Sequence, residues 1–366
     1  MTELLSPGYV GHRAPRPRRP LVEEVDGSLT CVAIRPITHD VVSFDLLLPD
    51  DAVLAHAPGQ YLTFTFEVGG QPMERCYTLS SAPPVPGHQP EVVTITVKRT
   101  PDGPVSAWLH DHLRVGDRVR AVGPFGEFSH TRHPAARYLF LSAGSGITPL
   151  MSMTRALGET ADPADVVFVH SARTPADIVF RDELARIAER ADRSVTVLCE
   201  GDAPGEAWTG VRGRLTAEAL LAAAPDLLER EVFTCGPPAY MEAVRETLDL
   251  LGVDPSRRHE ESFRLGALTR ESADPELTGE RHRIELRRTG RTIECDGSAT
   301  VLEAALEAGV SLPSSCEEGA CGTCKATLLE GRVDMQHAGG IRPREIQAGK
   351  FLPCCSKPLD DLVIDA

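Results

Sequence analysis

The sequence predicts a multidomain fold: an antiparallel β-barrel, then a doubly wound parallel α/β domain, then a small α+β unit. Short β-branched runs between Pro, Gly and Asp turns, from 28 to about 126, predict the barrel. Apolar strands alternating with helical segments, from 137 to about 263, predict a parallel sheet with helices on both faces. Four cysteines mark the third unit. Cys316, Cys321 and Cys324 share one loop, and Cys354 follows thirty positions after Cys324.

The expected boundaries are a flexible basic arm over 1–25, the barrel over 26–134 and the α/β domain over 135–264. A linker over 265–280 and a last domain over 281–366 follow. The 366 residues suffice for three units, each with its own core. An apolar fraction of 42% with 25% charged residues is that of an ordinary globular chain. The net charge of −15 argues against a nucleic-acid partner, because phosphates are bound by broad basic surfaces. No membrane partner is expected, since no apolar run is long enough to cross a bilayer. The N-terminus lacks the apolar core of a secretory signal, so a cytoplasmic location is expected.

In chain order, the arm places Pro15, Pro17 and Pro20 among Arg13, Arg16, Arg18 and Arg19, without apolar periodicity. Barrel strands are predicted over 29–34, 41–48, 61–66 and 92–97, with one helix over 105–113. The α/β strands are 138–142, 166–170, 195–198 and 231–235, and the helices 151–158, 182–190, 216–223 and 240–251. The linker is polar and contains Pro275. A hairpin over 282–286 and 291–294, a helix over 301–308 and strands over 325–329 and 362–365 complete the chain.

Six of the ten cysteines are scattered: Cys31, Cys76, Cys199, Cys235, Cys295 and Cys355. One tight cluster in a large chain without a secretory signal reads as a metal site rather than a disulfide framework. Zinc ligands usually come as two C-x2-C pairs on separate knuckles. Here three ligands share a loop and one stands alone, the C-x4-C-x2-C…C spacing of a plant-type [2Fe–2S] cluster.

The string Arg75-Cys76-Tyr77-Thr78 alone is an ordinary strand with an exposed face. It stands with Pro58-Gly59-Gln60-Tyr61, Val97-Lys98-Arg99, Gly103-Pro104-Val105-Ser106 and Gly123-Pro124-Phe125-Gly126. Together they resemble the flavin domain of the ferredoxin–NADP+ reductase superfamily. The resemblance implies that Arg75 holds flavin phosphate, Tyr77 packs on the isoalloxazine and Thr78 lies near the flavin N5. It also places Tyr61, Cys76, Val97, Lys98, Arg99, Gly103, Val105 and Ser106 in the flavin site. The chemistry agrees: a guanidinium suits phosphate, and an aromatic face suits a flat ring. A glycine at a helix start lets backbone approach an anion.

Gly144-Ser145-Gly146-Ile147-Thr148-Pro149 follows the first α/β strand, where a dinucleotide pyrophosphate docks. Short of a full G-x-G-x-x-G, it is weak alone. The superfamily carries G-x-G-x-T-P there and C-G-P-x-x-x-M near the last strand, here Cys235-Gly236-Pro237 through Met241. By this resemblance these residues bind the nicotinamide coenzyme, and Cys235 orients it for hydride transfer. Thr78 and Cys235 are thus the expected catalytic residues, with a small buried strand-end residue the plain alternative for Cys235. Arg173 falls where the adenosine ribose would lie. An arginine suits a 2′-phosphate, yet NADH-using relatives carry it too, so NADH is expected and NADPH is the alternative. Phe263 is expected against the flavin, with a core phenylalanine as the alternative.

For the third domain the resemblance implies a β-grasp-type α+β ferredoxin with Cys316, Cys321, Cys324 and Cys354 as ligands. The family's spacing and its L-T-C string, here Leu352-Pro353-Cys354, select Cys354 over Cys355. Flavin, nicotinamide and ferredoxin domains in this order resemble oxygenase reductase components. The tail from Gly339 to Ile346 is most similar to those serving Rieske-type monooxygenases of quaternary amines and hybrid-cluster protein. The implied activity passes electrons from NADH through FAD, with FMN the alternative, to a [2Fe–2S] cluster and a terminal oxygenase or other redox protein. A hydride carries two electrons and such a cluster takes one, so a flavin must stand between them. A stand-alone flavin or ferric reductase and a zinc-stabilised module are the competing expectations.

Overall fold

The computed structural model describes residues 19–85, 92–100, 103–159, 164–263, 280–288, 290–310, 312, 319, 322, 324–337 and 339–365. The expected arm up to 18, the expected linker up to 279, and Cys316 and Cys321 lie outside them.

The first domain is one six-stranded antiparallel sheet. Its strands are β1 (Val25–Pro36), β2 (Val41–Leu47), β3 (Tyr61–Val68), β4 (Gln71–Thr78), β5 (Val93–Lys98) and β6 (Arg118–Phe125). They run in the order β4-β3-β6-β1-β2-β5. The sheet curls until its edges meet beyond β4, where Leu79 bridges Ile95 and the Ser80 N–H donates to the Thr94 carbonyl at 2.8 Å. Leu29, Phe44, Leu62 and Phe64 fill the interior. Helix α1 (Pro104–His112) packs onto this core through Leu109. One expectation needs correction. Leu21–Val22 pairs in parallel with Val53–Leu54 and β1 begins at Val25, so backbone pairing draws the end of the expected arm into this domain.

The second domain holds β7 (Arg137–Ala143), β8 (Asp165–Ala172), β9 (Arg193–Cys199), β10 (Val211–Arg212), β11 (Glu231–Gly236) and β12 (Arg258–Ser262). All pair in parallel in the order β10-β9-β8-β7-β11-β12. Strand alternation splits the core in two. Tyr138, Phe140, Phe168 and Phe233 meet α2 (Ile147–Gly158) and α3 (Arg181–Ala188) on one face. Leu139, Leu141, Val169 and Val232 meet α4 (Ala217–Ala223) and α5 (Pro238–Leu250) on the other. Strand order reverses at β7, which opens a crevice at the carboxyl ends of β7 and β11. Helix α2 fixes that crevice against the barrel seam: the Ser152 hydroxyl donates to the Ser81 carbonyl at 2.8 Å, and Arg155 donates to the Ser80 carbonyl.

The third domain is a mixed sheet of β13 (Arg281–Leu286), β14 (Arg291–Asp296), β15 (Ala326–Glu330), β16 (Lys350–Phe351) and β17 (Leu362–Asp365). The order is β14-β13-β17-β15-β16, with β13 and β17 parallel. Helix α6 (Val301–Glu307) packs Val301, Leu302 and Ala305 on Ile284, Leu286 and Ile364. A capping box between Thr300 and Glu303 starts it. A short helix, α7 (Pro343–Gln347), precedes β16.

Candidate active site

The ends of β4 and β5, the start of α1 and the crevice of the second domain surround one cavity of about 350 Å³. Arg75, Cys76, Tyr77 and Thr78 line it from β4, Val97 and Lys98 from β5, and Gly103, Val105 and Ser106 from α1. Ser145, Thr148, Gly236, Pro237 and Phe263 line it from the second domain. Two groups of residues that the sequence keeps far apart are thus brought together across the domain boundary.

The barrel side is built for a flat ring with an anionic tail. Tyr77 packs its ring 6.1 Å from Phe64 and 6.2 Å from Phe66, and burial pushes its hydroxyl above the usual tyrosine range. Thr78 is buried, and its Oγ1 has no hydrogen-bond partner among the described residues. Such an orphaned hydroxyl facing a cavity fits a ligand that accepts or donates there. Arg75 donates to the Glu74 carbonyl at 2.7 Å, and no carboxylate among the described residues neutralises it. A Cβ at Gly103 would stand 2.0 Å from Thr100 Oγ1 and 2.6 Å from Ser106 Oγ, so a larger residue would force these hydroxyls to move. Ser106 is used locally, accepting from the Thr100 N–H at 3.1 Å and donating to the Gly103 carbonyl at 3.0 Å. What α1 offers an anion is therefore the unpaired N–H groups of its first turn rather than that hydroxyl.

Other expected residues stand back from the cavity. Arg99, just past the end of β5, forms a two-pronged pair with Asp111 at 2.6 and 2.8 Å. It does not line the cavity, although Lys98 before it and Thr100 after it do, because this pair holds its guanidinium on Asp111. Tyr61 is buried behind the wall, its ring 6.1 Å from that of Phe125. Gly144 takes φ +53, and Ile147 and Pro149 are buried where α2 begins. A Cβ at Gly146 would lie 2.2 Å from the Cys235 carbonyl oxygen, so the two coenzyme loops touch backbone to backbone. Cys235 is fully buried, and burial pushes its thiol well above its ordinary value. A thiol held neutral in this way packs rather than attacks.

Phe263 is 40% exposed and lines the cavity, which excludes the core alternative. Arg173 does not line the cavity; it is paired with Asp177 at 2.6 Å and stands 3.9 Å from Asp40, itself bound to the lining residue Lys98 at 2.7 Å. Burial alone would raise the Asp40 carboxyl, but hydrogen bonds from Lys98 and Thr38 hold it below the usual range. Three lining residues were not foreseen: Thr96, Thr100 and Pro238. Thr100 had a signal, a hydroxyl three residues before the loop glycine. Glu261 was not singled out by the motifs either. It pairs in register with Cys235, its Oε2 has no partner among the described residues, and burial pushes its carboxyl up to about 8.

In the third domain Cys324 and Cys354 converge, their sulfurs 3.2 Å apart and both buried. That separation exceeds a disulfide bond of about 2.05 Å and suits two soft ligands on one metal. Cys355 is half-buried, its thiol donating to the Leu352 carbonyl at 3.6 Å, and its sulfur lies against the loop at Gly319, 2.6 Å from where a Cβ there would stand. Gly319 and Gly322 both have positive φ, 71° and 75°, as a loop folded over a cluster requires. A Cβ at Gly322 would lie 2.5 Å from the Gly340 carbonyl.

Comparison with known proteins agrees with this geometry. Residues 28–130 match the oxidoreductase FAD-binding domain, 140–246 the oxidoreductase NAD-binding domain and 284–359 the 2Fe-2S iron-sulfur cluster binding domain. The glycine betaine monooxygenase reductase subunit of Pseudomonas aeruginosa is 42% identical over 347 residues, covering 92% of this chain and 94% of that one. The stachydrine N-demethylase reductase subunit of Rhizobium meliloti is 41% identical over 342 residues, covering 92% and 96%. The solved phthalate dioxygenase reductase, described as modular for electron transfer from pyridine nucleotides to [2Fe-2S], superposes with a TM-score of 0.57 at 27% identity, covering 93% and 97%.

Proposed function

The chain belongs to the oxygenase reductase components that join FAD-binding, NAD-binding and [2Fe–2S] domains, and from that premise we propose its donor, its acceptor and its division of labour. The protein is an NAD(P)H oxidoreductase that passes electrons to an oxygenase; the donor is NADH, and the oxygenase acts on a quaternary amine such as glycine betaine. Identity of 41–42% along nearly the whole chain to reductases of glycine betaine and stachydrine oxygenation carries this reading.

Arg75 and the first turn of α1 hold the flavin phosphate, Tyr77 supports the ring and the Thr78 hydroxyl faces its edge. When bound, the flavin supplies the conversion from paired to single electrons. Gly144 to Pro149, with Gly236 and Pro237, hold the coenzyme, and Phe263 covers the place its nicotinamide reaches. The neutral Cys235 thiol packs beneath that place. Cys324 and Cys354, with Cys316 and Cys321, hold the cluster. Because Asp177 and Asp40 already compensate Arg173, a 2′-phosphate would have to displace them, which favours NADH.

The test is reconstitution of the holoprotein with the oxygenase component of glycine betaine monooxygenase. NADH oxidation coupled to glycine betaine consumption, and faster than with NADPH, is expected. Equal coupling to an oxygenase of a neutral aromatic substrate, or a preference for NADPH, would overturn the proposal.

A further inference from the structure

The third domain meets the barrel along a seam whose contacts converge on Phe125 and Glu24. Arg342, just before α7, lays its guanidinium over the Phe125 ring, 4.9 Å from the centroid, and pairs with Glu24 at 2.8 Å. Arg344 reaches the same carboxylate. Lys325 stands 5.5 Å from the Phe125 centroid and is held by Glu345 at 2.6 Å. Main chains touch as well: a Cβ on Gly339 would lie 3.1 Å from Glu127 N and from Gly126 C.

Both sides of this seam lead to a redox site. Lys325 directly follows the ligand Cys324, and the Gly340 N–H donates to the Gly319 carbonyl at 2.9 Å, so the clasping segment also backs the cysteine loop. Across the seam Phe125 adjoins Tyr61, the first residue of β3, which pairs in register with the cavity-lining Thr78, and the Tyr61 ring stands 3.0 Å from where a Gly126 Cβ would be. The Arg342 side chain is 19% exposed, whereas that of Arg344 is 62% exposed. A stacked, partly desolvated guanidinium outweighs an exposed ion pair, so Arg342 is the dominant contact. Contacts of this kind are weak enough to be salt-sensitive.

We propose that Arg342, seated on Phe125 and paired with Glu24, is a positioning residue that holds the cluster loop within reach of the flavin. This rests on the electron route above. In each passage one electron leaves the reduced flavin and enters the oxidised cluster, which then gives it to the oxygenase. NADH supplies both electrons of a cycle as a hydride, and once both have passed on, the hydrogen it carried is released to solvent as one proton.

The test uses holoprotein carrying flavin and cluster, in anaerobic stopped-flow and in amide exchange. Arg342→Ala is expected to slow cluster reduction about tenfold, with NADH reduction of the flavin unchanged. Arg342→Lys should recover part of the rate, and Glu24→Gln should slow it less than Arg342→Ala. Raising salt to about 0.5 M should slow the wild type but barely affect Arg342→Ala. Exchange should rise over 123–128 and 339–346 while α6 stays protected. A seam that loosens without slowing cluster reduction, or slowing without loosening, would overturn the proposal. Absence of cluster reduction in the wild type would instead count against the route itself.

Discussion

Glu261 and Cys235 face each other from β12 and β11, and burial keeps both neutral at pH 7, the carboxyl near 8 and the thiol well above its usual value. The carboxyl's folded value lies above its ordinary 4.5, so its contribution to stability is full below 4.5 and is lost as pH rises through about 8. Glu261→Gln removes the titration. Its melting temperature should therefore fall less between pH 4.5 and 8 than that of the wild type, read by calorimetry. Equal slopes would show that the carboxyl is solvated. Nothing in the sequence pattern marks Glu261, because β12 reads Arg258-His259-Glu260-Glu261-Ser262 and has no apolar residue. The grouping of Arg75, Thr78 and Gly103 around one cavity, and of Cys324 with Cys354, was legible because each lies in a local motif. The pairing of Arg99 with Asp111 was not legible, because a motif does not name a partner twelve residues away.

At the scale of elements, apolar periodicity revealed most of the strands and helices that supply the domain cores. It did not show β12, which ion pairs support: Arg258 with Asp249 at 2.5 Å and His259 with Glu231 at 2.8 Å. Nor did it show β6, whose outward arginines and Gly123-Pro124 obscure the alternation. Helix α1 matters to the site because Gly103, Val105 and Ser106 at its start line the cavity and the fully buried Leu109 anchors it. Leu109→Ala should cost about 2–5 kcal/mol. In urea, flavin release should then occur at lower concentration, followed by flavin fluorescence, while unfolding of the second domain stays put. An unchanged flavin-release midpoint would mean that α1 is held by something other than its core contact.

Over the whole molecule three folds contribute one function because each supplies a single requirement. The barrel supplies a lined cavity with an orphaned hydroxyl, the α/β domain supplies the coenzyme crevice at its strand reversal, and the third domain brings two thiols to 3.2 Å. The order of domains was legible from motifs, whereas the Glu24–Arg342 seam joins residues that no local pattern connects. The central claim is that electrons leave only through the cluster held by Cys354. Anaerobic stopped-flow on Cys354→Ser and Cys355→Ser holoproteins tests it most directly. Both variants should reduce their flavin with NADH at the wild-type rate, but only Cys355→Ser should still reduce the oxygenase. Undiminished delivery of electrons by Cys354→Ser would contradict the account.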